Sequence, residues 1–372
     1  MRLDNKVMRG VARAVLPATV RRIIKTGLAL GVPPKFLPLR GGRRVRATVP
    51  MGDLGSIDPR WAGIYSPNYG DEEVHKFIHR QFLEDASTYV ELYQNVEYWK
   101  YLVGRGLEQA EVGSPSPLVL DLGSGGGNSV FPLLDLIPRA SIVASDLSLP
   151  LLKILKDYME ERYAERSFAV AQLNAEEIFF ADSQFDLVVG RAILHHLFSP
   201  EKTLAECARV LKPGGSALFF EPFEAGHQVL ALTLRSILER DRRRCGDEEP
   251  IEPAVVRFFE ALCQDWEVRK GEDKSAPQYL QIDDKWLFTL DYFERVAREA
   301  GFREVAVSPI QLGPHLFSEK VDALLRIGLQ MTAAVLPRWA FRCLTDADRA
   351  FTEEARRHLV FEGIVVLRKG KS

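Results

Sequence analysis

The chain is poor in cysteine, and its four cysteines, Cys207, Cys245, Cys263 and Cys343, form no C-x-x-C pair. That spacing argues against a disulfide framework and a cysteine zinc site, and a reducing cytoplasm is the expected compartment. No apolar run is long enough to span a bilayer, and no signal peptide is read at the start. Neither sign of charge dominates: 49 Lys and Arg stand against 51 Asp and Glu. The chain as a whole therefore points to no polyanionic partner. Repeats and low-complexity tracts are also missing. At 372 residues the chain is long for one core, and one sheet with large insertions accounts for it as well as two domains do.

The first 46 residues depart from this balance. Arg2, Lys6, Arg9, Arg13, Arg21, Arg22, Lys25, Lys35, Arg40, Arg43, Arg44 and Arg46 face the single acid Asp4, with Val11, Val15, Leu16, Val20, Ile23, Ile24, Leu28 and Leu30 between them. Part of this stretch reads as a basic amphipathic helix, suited to an anionic lipid surface or to RNA. A loosely packed extension is the plainer reading, because no stacking aromatics accompany the charges. Pro33, Pro34, Pro38 and Gly41-Gly42 end it as a linker. Further on, Asp71 is a candidate N-cap for a helix carrying His75 and His79 on one face. H-K-F-I-H lacks the glutamate of H-E-x-x-H, so a solvated or substrate-facing surface is expected there, not a metal. Tyr65, Tyr69, Tyr93, Tyr98, Trp99 and Tyr101 make the stretch aromatic, and core packing accounts for most of them.

The chain is organised around residues 117–129. Leu118-Val119-Leu120 is apolar on both faces, as a strand buried between helical layers would be. Gly123, Gly125 and Gly127 follow, and then Val130-Phe131-Pro132-Leu133-Leu134 can open a helix. Glycine allows a tight strand-to-helix turn and a close approach of ligand to backbone. A dinucleotide fingerprint, G-x-G-x-x-G, needs a third glycine at position 128, where Asn128 stands; a nicotinamide dehydrogenase is excluded on that spacing. The acid before the glycines, Asp121, followed by G-x-G-x-G, resembles motif I of the class I S-adenosylmethionine-dependent methyltransferases. The resemblance implies S-adenosylmethionine as cofactor, with Asp121 serving its ammonium group.

Asp146, at the end of a strand over 141–145 and about twenty residues past the glycines, stands where such a fold receives the ribose hydroxyls. It is followed by Leu147, and it can also serve as N-cap for a helix over 149–163. A third strand, 168–173, runs into Asn174-Ala175-Glu176, where the family has Asp-Ala-Glu against the adenine. The amide oxygen of Asn174 still accepts a hydrogen bond there, without the charge. A fourth strand, 185–190, leads into Arg191-Ala192-Ile193-Leu194-His195-His196. With the helix 200–211 and Lys212-Pro213-Gly214-Gly215, this block resembles the small-molecule methyltransferases of ubiquinone and menaquinone biosynthesis. In that family the loop lies over the transferable methyl. The resemblance covers residues 98–222, more loosely 286–310 and 360–369, and neither insertion.

The expected fold is α/β: a Rossmann-like seven-stranded sheet of order 3-2-1-4-5-7-6 with the last strand antiparallel. Residues 1–56 read as a basic extension and linker, 57–115 as a helical cap, and 116–372 as the methyltransferase domain. Insertions at about 223–285 and 311–357 are expected to form an acceptor pocket or lid. Methyl transfer needs alignment, and a hydroxyl or carbon acid must also lose a proton. His195 and His196 are the candidate bases by loop position, and His227 is another; capping of the strand end is the equal structural reading of the pair. The cofactor set is Asp121, Gly123, Gly125, Gly127, Asp146, Leu147, Asn174, Ala175, Glu176 and Arg191. No metal is expected, because the third and fourth strand ends lack a carboxylate cluster. The expected partner is a small hydrophobic or amphipathic acceptor, with peripheral membrane contact through the basic start and no nucleic acid. A non-catalytic protein on the same fold, and an RNA methyltransferase using the basic arm, are the alternatives.

Overall fold

The computed structural model describes residues 35–67, 82–245 and 248–371. The basic amphipathic helix, Tyr69 and the Asp71 helix with His75 and His79 lie outside the described residues. The chain forms two compact units. The first takes everything described up to Val189, with Glu206–Ser216 and Lys371, and the second takes Gly190–Ala205 and Ala217–Gly370.

In the first unit, β1 (Phe36–Pro38) and β2 (Arg44–Arg46) pair antiparallel across a turn in which Gly41 and Gly42 take positive φ. Next come β3 (Gly52–Asp53) and β4 (Ile64–Ser66), then helices α1 (Ala86–Tyr93) and α2 (Val96–Ala110). The nucleotide-fold alternation follows: β5 (Leu118–Leu122), α3 (Val130–Leu136), β6 (Ser141–Asp146), α4 (Leu149–Arg162) and β7 (Ser167–Gln172). β5, β6 and β7 are parallel neighbours. Every residue of β5 is buried, as its unbroken apolar pattern requires. Side chains start the helices: Asn95 accepts from Tyr98 N at α2, and Ser148 from Leu151 N at α4. Asp146 instead accepts from Ser148 N, so the N-cap of α4 is Ser148.

β8 (Phe185–Arg191) and β9 (Leu211–Pro222), separated by α5 (Pro200–Val210), pass from the first unit into the second. The second unit continues with α6 (Glu224–Arg242), α7 (Pro253–Val268), α8 (Leu290–Glu299) and β10 (Phe302–Pro309). It ends with α9 (Leu316–Leu329), α10 (Arg338–Ala350), α11 (Glu353–His358) and β11 (Glu362–Lys369). The sheet order is β10-β11-β9-β8-β5-β6-β7-β4-β3. Without its last two members it is the expected 3-2-1-4-5-7-6, and β11 runs antiparallel to β10.

The sheet has nine strands, not seven. β4 pairs parallel with β7 through Ile64 opposite Val170, and β3 pairs antiparallel with β4. Both lie where a linker and a helical cap are expected, and Tyr65 is a strand residue. Strands of two and three residues are too short to show the period-two alternation that marks a strand in sequence.

The helices of the second unit close on a core of their own, with Leu234, Val255, Phe259, Phe317, Leu344 and Phe361 fully enclosed. Each such side chain contributes about 1.5–3 kcal/mol by leaving water. Of the apolar residues that the second insertion offers, Leu325 and Leu336 are inside this core, while Ile327 is exposed.

Candidate functional site

The first unit carries the glycine turn. After β5 the backbone adopts positive φ at Gly123 (64°), Gly125 (49°) and Gly127 (98°). Side chains rarely adopt that conformation, so the alternate glycines answer to the backbone itself. Two serines brace the turn. Ser124 Oγ donates to Asp121 Oδ1 at 2.5 Å and accepts from Ser145 N at 2.9 Å, and Ser145 Oγ donates to Asp121 O at 2.8 Å. Asp146 Oδ2 accepts from Gly125 N at 2.9 Å, and its Oδ1 accepts from Ser148 N at 2.8 Å. The expected acids, Asp121 and Asp146, are thus both bound to the turn.

The three glycines of the tight run differ in what surrounds them. A Cβ at Gly127 would stand 2.4 Å from the Phe131 ring, and one at Gly126 would stand 2.6 Å from Val90. At Gly125 a Cβ would meet no atom of the described residues within 4 Å. Protein packing excludes side chains at the first two; at the third no described residue fills the space. Along the same unit, Asn174 Oδ1 accepts from Glu176 N at 3.0 Å, Ala175 is buried, and Leu147 O accepts from Gln172. Carboxylates at the ends of β5 and β6, an open glycine backbone and an amide turn after β7 fit a nucleoside that carries an ammonium group and has no phosphate.

Asn128, at the position that rules out the dinucleotide fingerprint, has its own task. Its side chain accepts from Asn95 N at 3.1 Å and donates to Tyr93 O at 3.0 Å. Gln94 Nε2 donates to Gly126 O at 3.2 Å. The turn between α1 and α2 is thereby strapped to the glycine turn. Leu92, Tyr93, Tyr98 and Tyr101 on these helices are exposed.

The second unit carries the histidines. Arg191 closes β8, and Ala192 then takes φ 51°, with its N–H donating to Phe220 O. A non-glycine residue in this conformation is uncommon and marks a forced turn. The short turn Leu194–His196 follows. The buried carboxylate of Glu221, at the end of β9, organises that turn. Its Oε1 accepts from Ile193 N and Leu194 N, and its Oε2 accepts from His195 N and lies 2.6 Å from His195 Nδ1. His195 Nδ1–H therefore donates to Glu221, which leaves Nε2 facing Asp284 Oδ1 at 3.5 Å. His196 Nδ1 lies 3.4 Å from the same oxygen and 3.2 Å from Asp283 Oδ1. Arg269 Nη1 is 3.2 Å from Asp284 Oδ2.

Burial opposes protonation of His195, but Glu221 and Asp284 outweigh it and push its pKa up to about 9. Burial likewise opposes ionisation of Asp284, yet His195, Arg269 and His196 hold its carboxyl well below the usual range. Backbone pairing brings the acid to the histidine: Lys285 N donates to His195 O at 2.7 Å, and Trp286 Nε1 donates to Leu197 O. His227 has a different setting. It is buried in α6 with its ring edge-on to Trp266 and Phe361, and Nδ1–H donates to Phe223 O at 2.7 Å. Burial, then the positive charge of Lys320, keeps it neutral.

Sequence reasoning missed Glu221, Asp284 and Arg269 as members of the histidine site. Glu221 carried a signal, an acid at a strand end. Asp284 and Arg269 carried none, since they lie far along the chain from the pair they meet.

Residues 120–219 match the family model described as a methyltransferase domain. The mitochondrial 2-methoxy-6-polyprenyl-1,4-benzoquinol methylase of Caenorhabditis elegans is 28% identical over 196 residues, 52% of this chain and 61% of that one. The ubiquinone/menaquinone biosynthesis C-methyltransferase UbiE of Ectopseudomonas mendocina is 30% identical over 118 residues, 32% of this chain and 46% of that one. The uncharacterized protein YafE of Escherichia coli is 33% identical over 98 residues, 26% of this chain and 47% of that one. The chain thus spans less than two thirds of the length of each of these relatives. The matched segment holds the braced glycine turn, Asp121 and Asp146, and residues 120–219 thus form a domain of the class I S-adenosylmethionine-dependent methyltransferase type.

Proposed function

We propose that this chain transfers the methyl group of S-adenosylmethionine to an oxygen or carbon acid of a small hydrophobic or amphipathic acceptor. A polyketide, quinone, lipid or lipid-linked glycan fits that description. The observation that carries the reading is Gly125: its backbone is held by Asp146, and among the described residues no atom lies within 4 Å of where its Cβ would stand. When bound, the cofactor supplies a methyl group on a positively charged sulfur. In this reading Asp121 serves the ammonium group, Asp146 the ribose hydroxyls, and Leu147, Asn174, Ala175 and Glu176 the adenine.

The acceptor's acidic hydrogen is assigned to the group around His195, which accepts a proton only in its deprotonated form, where Glu221 holds Nδ1–H and leaves Nε2 as the acceptor. His196 stands beside it, its ring centroid 4.2 Å away, and His227 is assigned to packing. Two observations support a hydrophobic acceptor. The relatives named above include a methylase of a polyprenyl benzoquinol. In addition, Leu92, Tyr93, Tyr98 and Tyr101 expose apolar surface on helices strapped to the glycine turn.

The test is a panel of acceptors with radiolabelled methyl donor, mixing quinols, phenolic polyketides, lipids, sugars and small amines. Transfer to apolar acceptors is expected. Transfer confined to soluble polar compounds would overturn the acceptor class.

A further inference from the structure

The second unit holds a cluster whose spacing suits a ligand that the methyl-transfer reading does not require. We propose that His195 Nε2, His196 Nδ1 and Asp284 Oδ1 bind a divalent transition metal ion of the zinc type. These three residues each offer one ligand atom, and the atoms lie within 4.8 Å of one another.

The distances favour coordination over hydrogen bonding. Asp284 Oδ1 is 3.5 Å from His195 Nε2 and 3.4 Å from His196 Nδ1. Good N–H···O bonds span about 2.7–3.2 Å. Two ligand atoms each about 2.1 Å from a tetrahedral ion stand about 3.4 Å apart. One carboxylate oxygen is therefore a ligand's edge length from two separate imidazole nitrogens. An ion between them would form three bonds in place of these two poor contacts and of the contacts of His196 Nδ1 with Asp283 Oδ1 at 3.2 Å and Asp283 O at 3.3 Å.

The outer partners match as well. Glu221 takes the Nδ1–H of His195 at 2.6 Å, which turns Nε2 to the site, where an ion would displace the proton that Asp284 otherwise faces. This carboxylate–histidine arrangement recurs behind metal-bound imidazoles. Arg269 holds the other oxygen of Asp284 at 3.2 Å. Asp283 lies next to the site, with Oδ1 3.2 Å from His196 Nδ1, and competes for that nitrogen when no ion is bound. An ion can enter from solvent, because the side chain of Asp284 is 41% exposed and that of His196 23% exposed. Two nitrogens and one oxygen suit zinc and its neighbours, and three protein ligands leave one position open. A hydroxyl bound there would lose its proton more readily, which does the work of a free base.

Cobalt(II) is the probe, since a tetrahedral site gives it visible absorption. Titration of the full chain with cobalt chloride should saturate at a single equivalent, and zinc chloride should displace it. Asp284→Asn and His196→Ala should abolish the band, and Glu221→Gln should weaken binding by about 10–100-fold. Cys245→Ser, which removes an exposed thiol, should change nothing. Circular dichroism and thermal unfolding report whether each variant is folded. No cobalt uptake by the folded wild type, or uptake that survives both ligand variants, would overturn the metal site. Cobalt binding without cofactor binding would overturn the methyl-transfer reading alone.

Discussion

Asn128 ties both atoms of its amide to one turn, donating to Tyr93 O at 3.0 Å and accepting from Asn95 N at 3.1 Å. Replacing it with glycine would complete the G-x-G-x-x-G spacing and at the same time cut the strap. Two hydrogen bonds are lost, each worth about 0.5–1.5 kcal/mol. Asn128→Gly should therefore lower stability by about 1–3 kcal/mol and speed hydrogen exchange over 86–95. It should not create binding of nicotinamide dinucleotide, since no pyrophosphate site comes with it; calorimetry with NAD checks this.

Gly127 and Gly125 should respond differently to alanine. A Cβ at Gly127 would lie 2.4 Å from Phe131 and 2.9 Å from Leu155, at φ 98°. Overpacking plus backbone strain should cost about 2–4 kcal/mol, read as a lower melting temperature. Gly125→Ala meets no atom of the described residues within 4 Å, so its loss of stability should stay near 1 kcal/mol, the strain of its φ. Cofactor affinity should instead fall at Gly125.

Acid should destabilise the second unit in two stages. Burial and Lys320 depress the pKa of His227 below its ordinary 6.5. The folded state then binds fewer protons than the unfolded one, so this contribution is complete above pH 6.5 and is lost progressively as pH falls from there toward about 3. Glu362, 2.8 Å from Lys320, is held below its ordinary 4.5 by that charge and adds a second loss below pH 4.5. His195, whose raised pKa acts in the opposite sense above pH 6.5, is common to both proteins, so the prediction is a difference: the urea midpoint of the wild type should fall relative to that of His227→Phe as pH drops below 6.5.

Asp348 is a buried carboxylate that starts a helix other than its own. From α10 it accepts from Phe317 N at 2.6 Å, Ser318 N at 3.3 Å and Ser318 Oγ at 2.6 Å, at the first turn of α9. Asp348→Ala strands two buried N–H groups and should destabilise by about 2–4 kcal/mol in urea unfolding. Asp348→Asn, which keeps an acceptor, should lose less.

Much of the fold is legible because the nucleotide alternation is local. β5, β6, β7 and β8 each announce themselves as apolar runs, and the glycines and Asp146 sit at fixed offsets from them. β3 and β4 are not legible, because their pairing depends on a distant partner, Val170 opposite Ile64, and not on their own pattern. The histidine site is half legible for the same reason. His195 and His196 stand together in sequence, but Asp284 reaches them only through the pairing of Lys285 N with His195 O. The serines at 124 and 145 show why such contacts escape a linear reading: each braces a residue that the other segment supplies.

Calorimetry decides whether the turn around Gly125 holds S-adenosylmethionine. Wild type, Gly125→Arg and Asp146→Ala are titrated with the cofactor, each checked for folding. Micromolar binding by the wild type is expected, and its loss in both variants, Gly125→Arg by placing a long side chain over the turn and Asp146→Ala by releasing it. A folded wild type that binds nothing, or a Gly125→Arg variant that binds as tightly as wild type, would contradict that reading.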